Sequence, residues 1–273
     1  MGTTAYVLGH APDELRRLDA QSAFLRPATV ALLSSCGLAP GMRVLDAGCG
    51  TGEVTMMCAD LVGPGGAVLG VDRAPEALDK ARDRAELRGA AQARFHEADL
   101  GSLTAAEPWD AVVGRMVLMH QPDPVAALSG LATLTRPGGT IAFAEIAMMP
   151  ATPAAPERPL MARACGWIAR TLELAGASPR MGLGLYDAFV RAGLPAPEVR
   201  LEPLLTLGCE AASVRWGVET LRSLLAVGVQ TGAFTCAEVD IATLTERLDE
   251  EAAAAGGVAM PCMLGTAWAR LPG

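Results

Sequence analysis

RVLDAGCGTGEVT, residues 43 to 55, runs from an apolar strand through three glycines into a helix, and the reading of the whole chain hangs on it. Val44 and Leu45 are apolar and strand-prone, Asp46 stands where that strand ends, and Gly48, Gly50 and Gly52 follow at alternate positions. Glycine without a Cβ reaches positive φ and lets a ligand lie against the backbone, while a helix starting after Gly52 aims unpaired N–H groups at it. A dinucleotide turn spaces its glycines G-x-G-x-x-G to seat a pyrophosphate. The spacing here is G-x-G-x-G, and an acid at position 46 suits an ammonium or sulfonium better than a pyrophosphate. Both features argue against a NAD-dependent oxidoreductase.

The run D-x-G-x-G-x-G after an apolar strand resembles motif I of the class I S-adenosylmethionine-dependent methyltransferases, and the likeness continues downstream. VLGVD (68–72) resembles their second strand with its ribose-binding acid, and EADL (97–100) the acidic and apolar pair that borders the adenine. WDAVVGRMVLMH (109–120) resembles strand four with its active-site turn, and LTRPGGTIAFAE (134–145) the approach to strand five. The resemblance implies S-adenosylmethionine as cofactor and S-adenosylhomocysteine as product. The cofactor set it implies is Asp46, Gly48, Gly50, Gly52, Asp72, Arg73, Asp99, Leu100 and Arg115, with no metal. YVLGH and ELRRLDAQ near the N-terminus resemble a lid over the cofactor and add Tyr6 and Gln21. The plainer reading of that pair is surface or packing residues. Asp99 has a plainer reading too, as the N-cap of a helix at 102–106.

The fold implied is α/β: a Rossmann-like seven-stranded sheet of order 3-2-1-4-5-7-6 with its last strand antiparallel and helices on both faces. Alternating strands and helices support it: strands at 43–47, 67–72, 92–96, 110–114 and 139–146, helices at 52–61, 75–88 and 123–134. PGG at 64–66 and at 137–139 reads as turns before strands two and five. Residues 1–38 are expected to form a helical cap, two helices with Pro27 opening the second. Residues 39–147 form the cofactor-binding core. Residues 148–196 are expected to carry a lid and a helix after the proline-rich MMPATPAAPERPL, and 197–273 the strands and helices that complete the sheet. The last part reads as strand 198–207, helices 211–229 and 236–254, and strand 259–270, all in one domain.

Composition limits the partners. Formal charge is −8, and no basic run exceeds two residues, so the electrostatic footprint for nucleic acid is missing. No segment reaches 18 uninterrupted apolar residues and the first ten residues lack a signal pattern, which predicts a cytoplasmic protein without a membrane span. Seven scattered cysteines without C-x-x-C spacing predict reduced thiols. Lys80 is the only lysine, and Ala, Gly and Pro abound, as in GC-rich bacterial coding. A homodimer stays open.

Methyl transfer from a sulfonium asks the protein chiefly to align the acceptor and exclude water, and for most acceptors to take a proton. Of three histidines, His120 is the candidate base, shortly after strand four, with an ordinary pKa suited to neutral pH. Its plainer role is a hydrogen bonder ahead of Pro122. Glu145, closing the apolar strand IAFAE, is the second catalytic candidate, or else an ion-pair partner of Arg115. RMVLMHQPDP resembles the small-molecule branch around quinone-biosynthesis and natural-product methyltransferases. The expected acceptor is a small, largely apolar metabolite, and the Met148, Met149, Met161 and Trp167 group either serves it or packs a core. A cyclisation catalysed on the same fold is the rival reading.

Overall fold

The computed structural model describes residues 12–104, 107–149, 153–207 and 212–273, with side chains described for all of these except 12–20, 23, 207, 212 and 213. Tyr6 and His10 therefore lie outside the described residues. The chain forms two compact units, one of residues 27–145, 181–201 and 265–273, the other of residues 1–26, 146–180 and 202–264.

The first unit is built on β1 (Arg43–Ala47), whose residues after Arg43 are buried. It lies between β2 (Ala67–Asp72) and β4 (Trp109–Arg115) and is parallel to both. Strands buried on both faces read as continuous apolar runs, which is how Val44, Leu45, Val112 and Val113 appear in the sequence. β3 (Ala93–Glu97) extends the sheet beyond β2, and β5 (Thr135–Ala147) pairs with β4. Helices α2 (Glu53–Val62), α3 (Pro75–Arg88) and α4 (Pro124–Thr133) fill the connections. Leu78, Leu128, Ile141 and Phe143 are wholly buried in this core.

Strand order is β3-β2-β1-β4-β5-β8-β6, with β7 (Glu198–Leu207) also pairing with β8 (Val258–Arg270). Counting β7 and β8 as sixth and seventh, this is the expected 3-2-1-4-5-7-6. The addition is β6 (Ala154–Ala155), two residues antiparallel to β8.

Four local expectations are corrected. Pro27 does not start a second helix: α1 (Pro12–Ser35) passes through it, because burial of Leu25, Ala28, Leu32 and Leu33 outweighs one missing backbone bond. The PGG at 137–139 is not a turn before β5 but a bulge inside it. Trp109 pairs with Thr135 and Ala111 with Thr140, so the glycines take up the extra residues. A Cβ on Gly139 would stand 2.7 Å from Thr135 and 2.9 Å from the Asp110 carbonyl. Where a helix at 102–106 is expected, the described residues show a single 3-10 turn, Leu100–Ser102. The expected helix 236–254 is divided into α8 (Cys236–Val239) and α9 (Leu244–Ala255), because Asp240 takes φ 42° after α8.

In the second unit α7 (Ala212–Thr231) packs against α5 (Pro159–Leu174) and α9. Both oxygens of Glu251 accept the first free N–H groups of α5, from Leu160 at 2.6 Å and Met161 at 3.0 Å. Arg158, buried just before α5, donates to the carbonyls of Gly256 and Gly257 after α9. The ring of Trp167 meets that of Phe234 edge-on at 6.3 Å. α6 (Met181–Arg191) belongs to the first unit.

Candidate active site

The glycine turn leaves β1 with Gly48, Gly50 and Gly52 at φ 68°, 51° and 78°, all in the left-handed region that a side chain resists. Gly52 is also short of space, since a Cβ there would lie 2.9 Å from the methyl of Ala81. Gly50 faces open space. The turn is tied down by Cys49 N–H to the Val71 carbonyl (2.9 Å), and by Arg84, which donates to the Thr51 carbonyl (2.6 Å) and pairs with Glu53 (2.9 Å).

Beneath the turn, Asp46 is 1% exposed. Thr55, one turn into α2, donates to Asp46 Oδ2 at 2.6 Å, and Oδ1 has no partner. Burial pushes this carboxyl up to about 7; the Thr55 hydrogen bond and the Arg115 charge oppose the rise, and Asp72 adds to it. Asp46 pairs in register with Gly70, and a Cβ on Gly70 would fall 2.8 Å from the Thr55 hydroxyl oxygen. Nothing in the sequence except a glycine inside a buried strand signals that Thr55 and Gly70 belong to the site.

Asp72, at the end of β2, accepts from Gly50 N–H (2.8 Å) and Ala74 N–H (3.0 Å). A carboxylate has about four acceptor positions, so two remain for a ligand. Arg73 beside it is exposed. Asp99 is exposed and accepts from Gly101 N–H at 2.9 Å, capping the 3-10 turn that begins at half-buried Leu100. Gln21 is buried.

After β4 the chain turns sharply: Met116 takes φ 59°, and a 3-10 turn, Leu118–His120, follows. Glu145 makes this turn possible. It is completely buried, and its carboxyl accepts from Val117 N–H (2.9 Å), Leu118 N–H (2.8 Å) and Met119 N–H (3.2 Å). Burial pushes it up to about 7 against the pull of those three donors. Arg115 donates to Thr29 of α1 at 3.0 Å, so Glu145 spends its oxygens on backbone groups instead of on that arginine. His120, at the end of the turn, is half-buried. The first unit thus gathers Asp46, the three glycines, Asp72, Asp99, Leu100, Arg115, His120 and Glu145 near the carboxyl ends of parallel strands, where open α/β sheets bind ligands.

The fold and this turn resemble those of class I S-adenosylmethionine-dependent methyltransferase domains, and residues 38–170, just under half of the chain, match the family described as a methyltransferase domain. The chain is 34% identical over 129 residues to a ubiquinone biosynthesis O-methyltransferase of Xanthomonas campestris, a match covering 46% of this chain and 52% of that one. It therefore spans about half the length of that curated relative. Among solved structures, a SAM-dependent methyltransferase from Aquifex aeolicus aligns with TM-score 0.52 at 19% identity, over 71% of this chain and 93% of that one. The (4+2)-cyclase SpnF aligns with TM-score 0.56 at 20% identity, over 90% and 81%. Among the described residues no cluster of three His, Cys, Asp or Glu could hold a metal, and no helix is long and apolar enough to cross a membrane.

Proposed function

We propose that this protein transfers the methyl group of S-adenosylmethionine to a small-molecule acceptor. The observation that carries the proposal is Asp46: a buried carboxyl with one oxygen unpartnered, under a turn whose middle glycine faces open space. Such a group is costly unless a cationic or donating ligand completes it, and an amino-acid ammonium does so. The residues therefore fit the cofactor. Asp46 would hold its ammonium end, Asp72 its ribose hydroxyls, and Asp99 with Leu100 would border its adenine. The bound cofactor supplies a methyl group already activated by a sulfonium.

The chain's own work is to align the acceptor, keep water out and receive a proton. His120 receives it at a ring nitrogen. Glu145 acts through the turn: three backbone bonds to one side chain hold residues 117 to 119 and so aim His120. It is a positioning residue, not a second base, since none of its surface reaches solvent.

Calorimetry with S-adenosylhomocysteine tests the cofactor reading. Asp72→Ala should weaken binding by roughly 1–3 kcal/mol, the range for lost charge-assisted hydrogen bonds. Unchanged affinity, or tighter binding of NAD, would overturn it. S-adenosylmethionine that binds yet never yields S-adenosylhomocysteine, while an acceptor is cyclised, would hand the fold to the rival chemistry.

A further inference from the structure

Glu53 opens α2 at the exit of the glycine turn, a position from which a carboxylate is drawn to the unpaired N–H groups of a helix's first turn. Gly52 before it offers no side chain to cap them. An acid placed there competes with any anionic ligand for the same donors. It pairs with Arg84 of α3 instead, Oε1 to Nη1 at 2.9 Å, with only 20% and 25% of the two side chains exposed. A pair this sheltered is screened less than one on the open surface.

Packing fixes where Arg84 stands. Ala81, one turn earlier on the same face of α3, lies against Gly52, so that a Cβ on the glycine would come within 2.9 Å of its methyl. Just ahead of α3, Asp72 accepts from Gly50 N–H. Between these two anchors, the nitrogen that meets Glu53 also donates to the Thr51 carbonyl at 2.6 Å and to the Thr51 hydroxyl at 3.2 Å. A tether for the turn needs the carbonyl bond alone. The contact with Glu53 adds charge compensation, beside a turn that already has Asp46 beneath it and Asp72 at its flank.

The proposed cofactor carries an ammonium and a carboxylate on one carbon, so an ammonium drawn to Asp46 brings a carboxylate into the same turn. That carboxylate enters among three acids, and like charges oppose it. We infer that Arg84 is a positioning residue for the cofactor's amino-acid end: it holds the Glu53 carboxylate off the first turn of α2 and offsets its charge, which leaves those backbone donors to the ligand's carboxylate. The inference rests on the cofactor reading of the turn.

Calorimetry on the full chain with S-adenosylhomocysteine and with 5′-methylthioadenosine, which keeps the nucleoside and the thioether but lacks the amino-acid end, tests it. Arg84→Gln should weaken S-adenosylhomocysteine about tenfold, within the range for a charge at a helix N-terminus, and leave 5′-methylthioadenosine within about twofold. Glu53→Gln should tighten S-adenosylhomocysteine a few-fold, because it removes the competing acid and leaves Arg84 on Thr51. Adding Glu53→Gln to Arg84→Gln should recover most of the loss. A plain tether predicts otherwise: equal losses for both ligands in Arg84→Gln and no recovery in the double variant. Either of those results would overturn the inference, and so would an Arg84→Gln variant that binds S-adenosylhomocysteine like wild type. Unchanged or weaker binding in Glu53→Gln would overturn it too, and this variant carries the test alone should Arg84→Gln fail to fold. Failure of the wild type to bind S-adenosylhomocysteine would instead strike the cofactor reading itself.

Discussion

Replacing Glu145 by glutamine should change how stability depends on pH more than it changes stability itself. Folding raises the Glu145 carboxyl from about 4.5 to about 7, with burial as the leading cause. Between those values the folded protein holds a proton that the unfolded chain has released, so stability falls as pH rises across the window. At roughly 1.4 kcal/mol per pH unit, this one group takes about 3 kcal/mol from the wild type by pH 8. Glutamine has nothing to titrate. Its oxygen can still accept from Val117 and Leu118, but its amide nitrogen turns a donor toward Met119 N–H. That unsatisfied contact should cost the variant about 1–2 kcal/mol. In urea unfolding followed from pH 5 to pH 8, the variant should therefore begin less stable than wild type and end equal to it or above it. Asp46 titrates in the same direction, but it is present in both proteins and drops out of the difference. A difference that stays constant across the range, or grows with pH, would refute the argument.

Three other outcomes are expected. Affinity for S-adenosylmethionine should rise by up to about 100-fold from pH 5 to pH 8 as Asp46, held near 7 by burial, releases its proton to solvent and meets the cationic ligand as a carboxylate, and Asp46→Asn should flatten that profile in calorimetry. His120→Ala should lower turnover about 10²- to 10⁴-fold with cofactor affinity nearly intact, and a near-silent variant in steady-state kinetics would leave alignment as the whole of catalysis. Glu251→Ala, which strips the cap from the first turn of α5, should cost about 2 kcal/mol and lower the melting temperature by roughly 4–8 °C; an unmoved Tm by calorimetry would show the cap to be idle.

The core strands and their order could be read from the chain because parallel strands buried on both faces are short apolar runs, and because three glycines at alternate positions after such a run, Gly48, Gly50 and Gly52, mark a turn with a tightly constrained backbone. Asp46 and Asp72 were legible for the same reason, each closing an apolar run. What escaped was set by tertiary neighbours. Pro-Gly-Gly reads as a turn whether it ends a strand or bulges within one, and only the pairing with Trp109 and Ala111 decides. Glu145 at the end of an apolar strand signals a special carboxylate, but not that the backbone of residues 117 to 119 will consume it.

The close quarters at Gly70 make two distant positions answer to each other. Any side chain at 70 presses on the Thr55 hydroxyl oxygen, and that hydroxyl is what holds Asp46. Gly70→Ala alone should therefore damage the site as a loss at position 55 would, while a further Thr55→Ser, which keeps the hydroxyl and removes the methyl, lets it swing aside and should restore part of what was lost. Mutational tolerance at 70 is thus tied in part to 55, the remainder being set by Cys49 Sγ and Phe95, each 2.9 Å from the added Cβ, and a library that varies positions one at a time would miss that coupling.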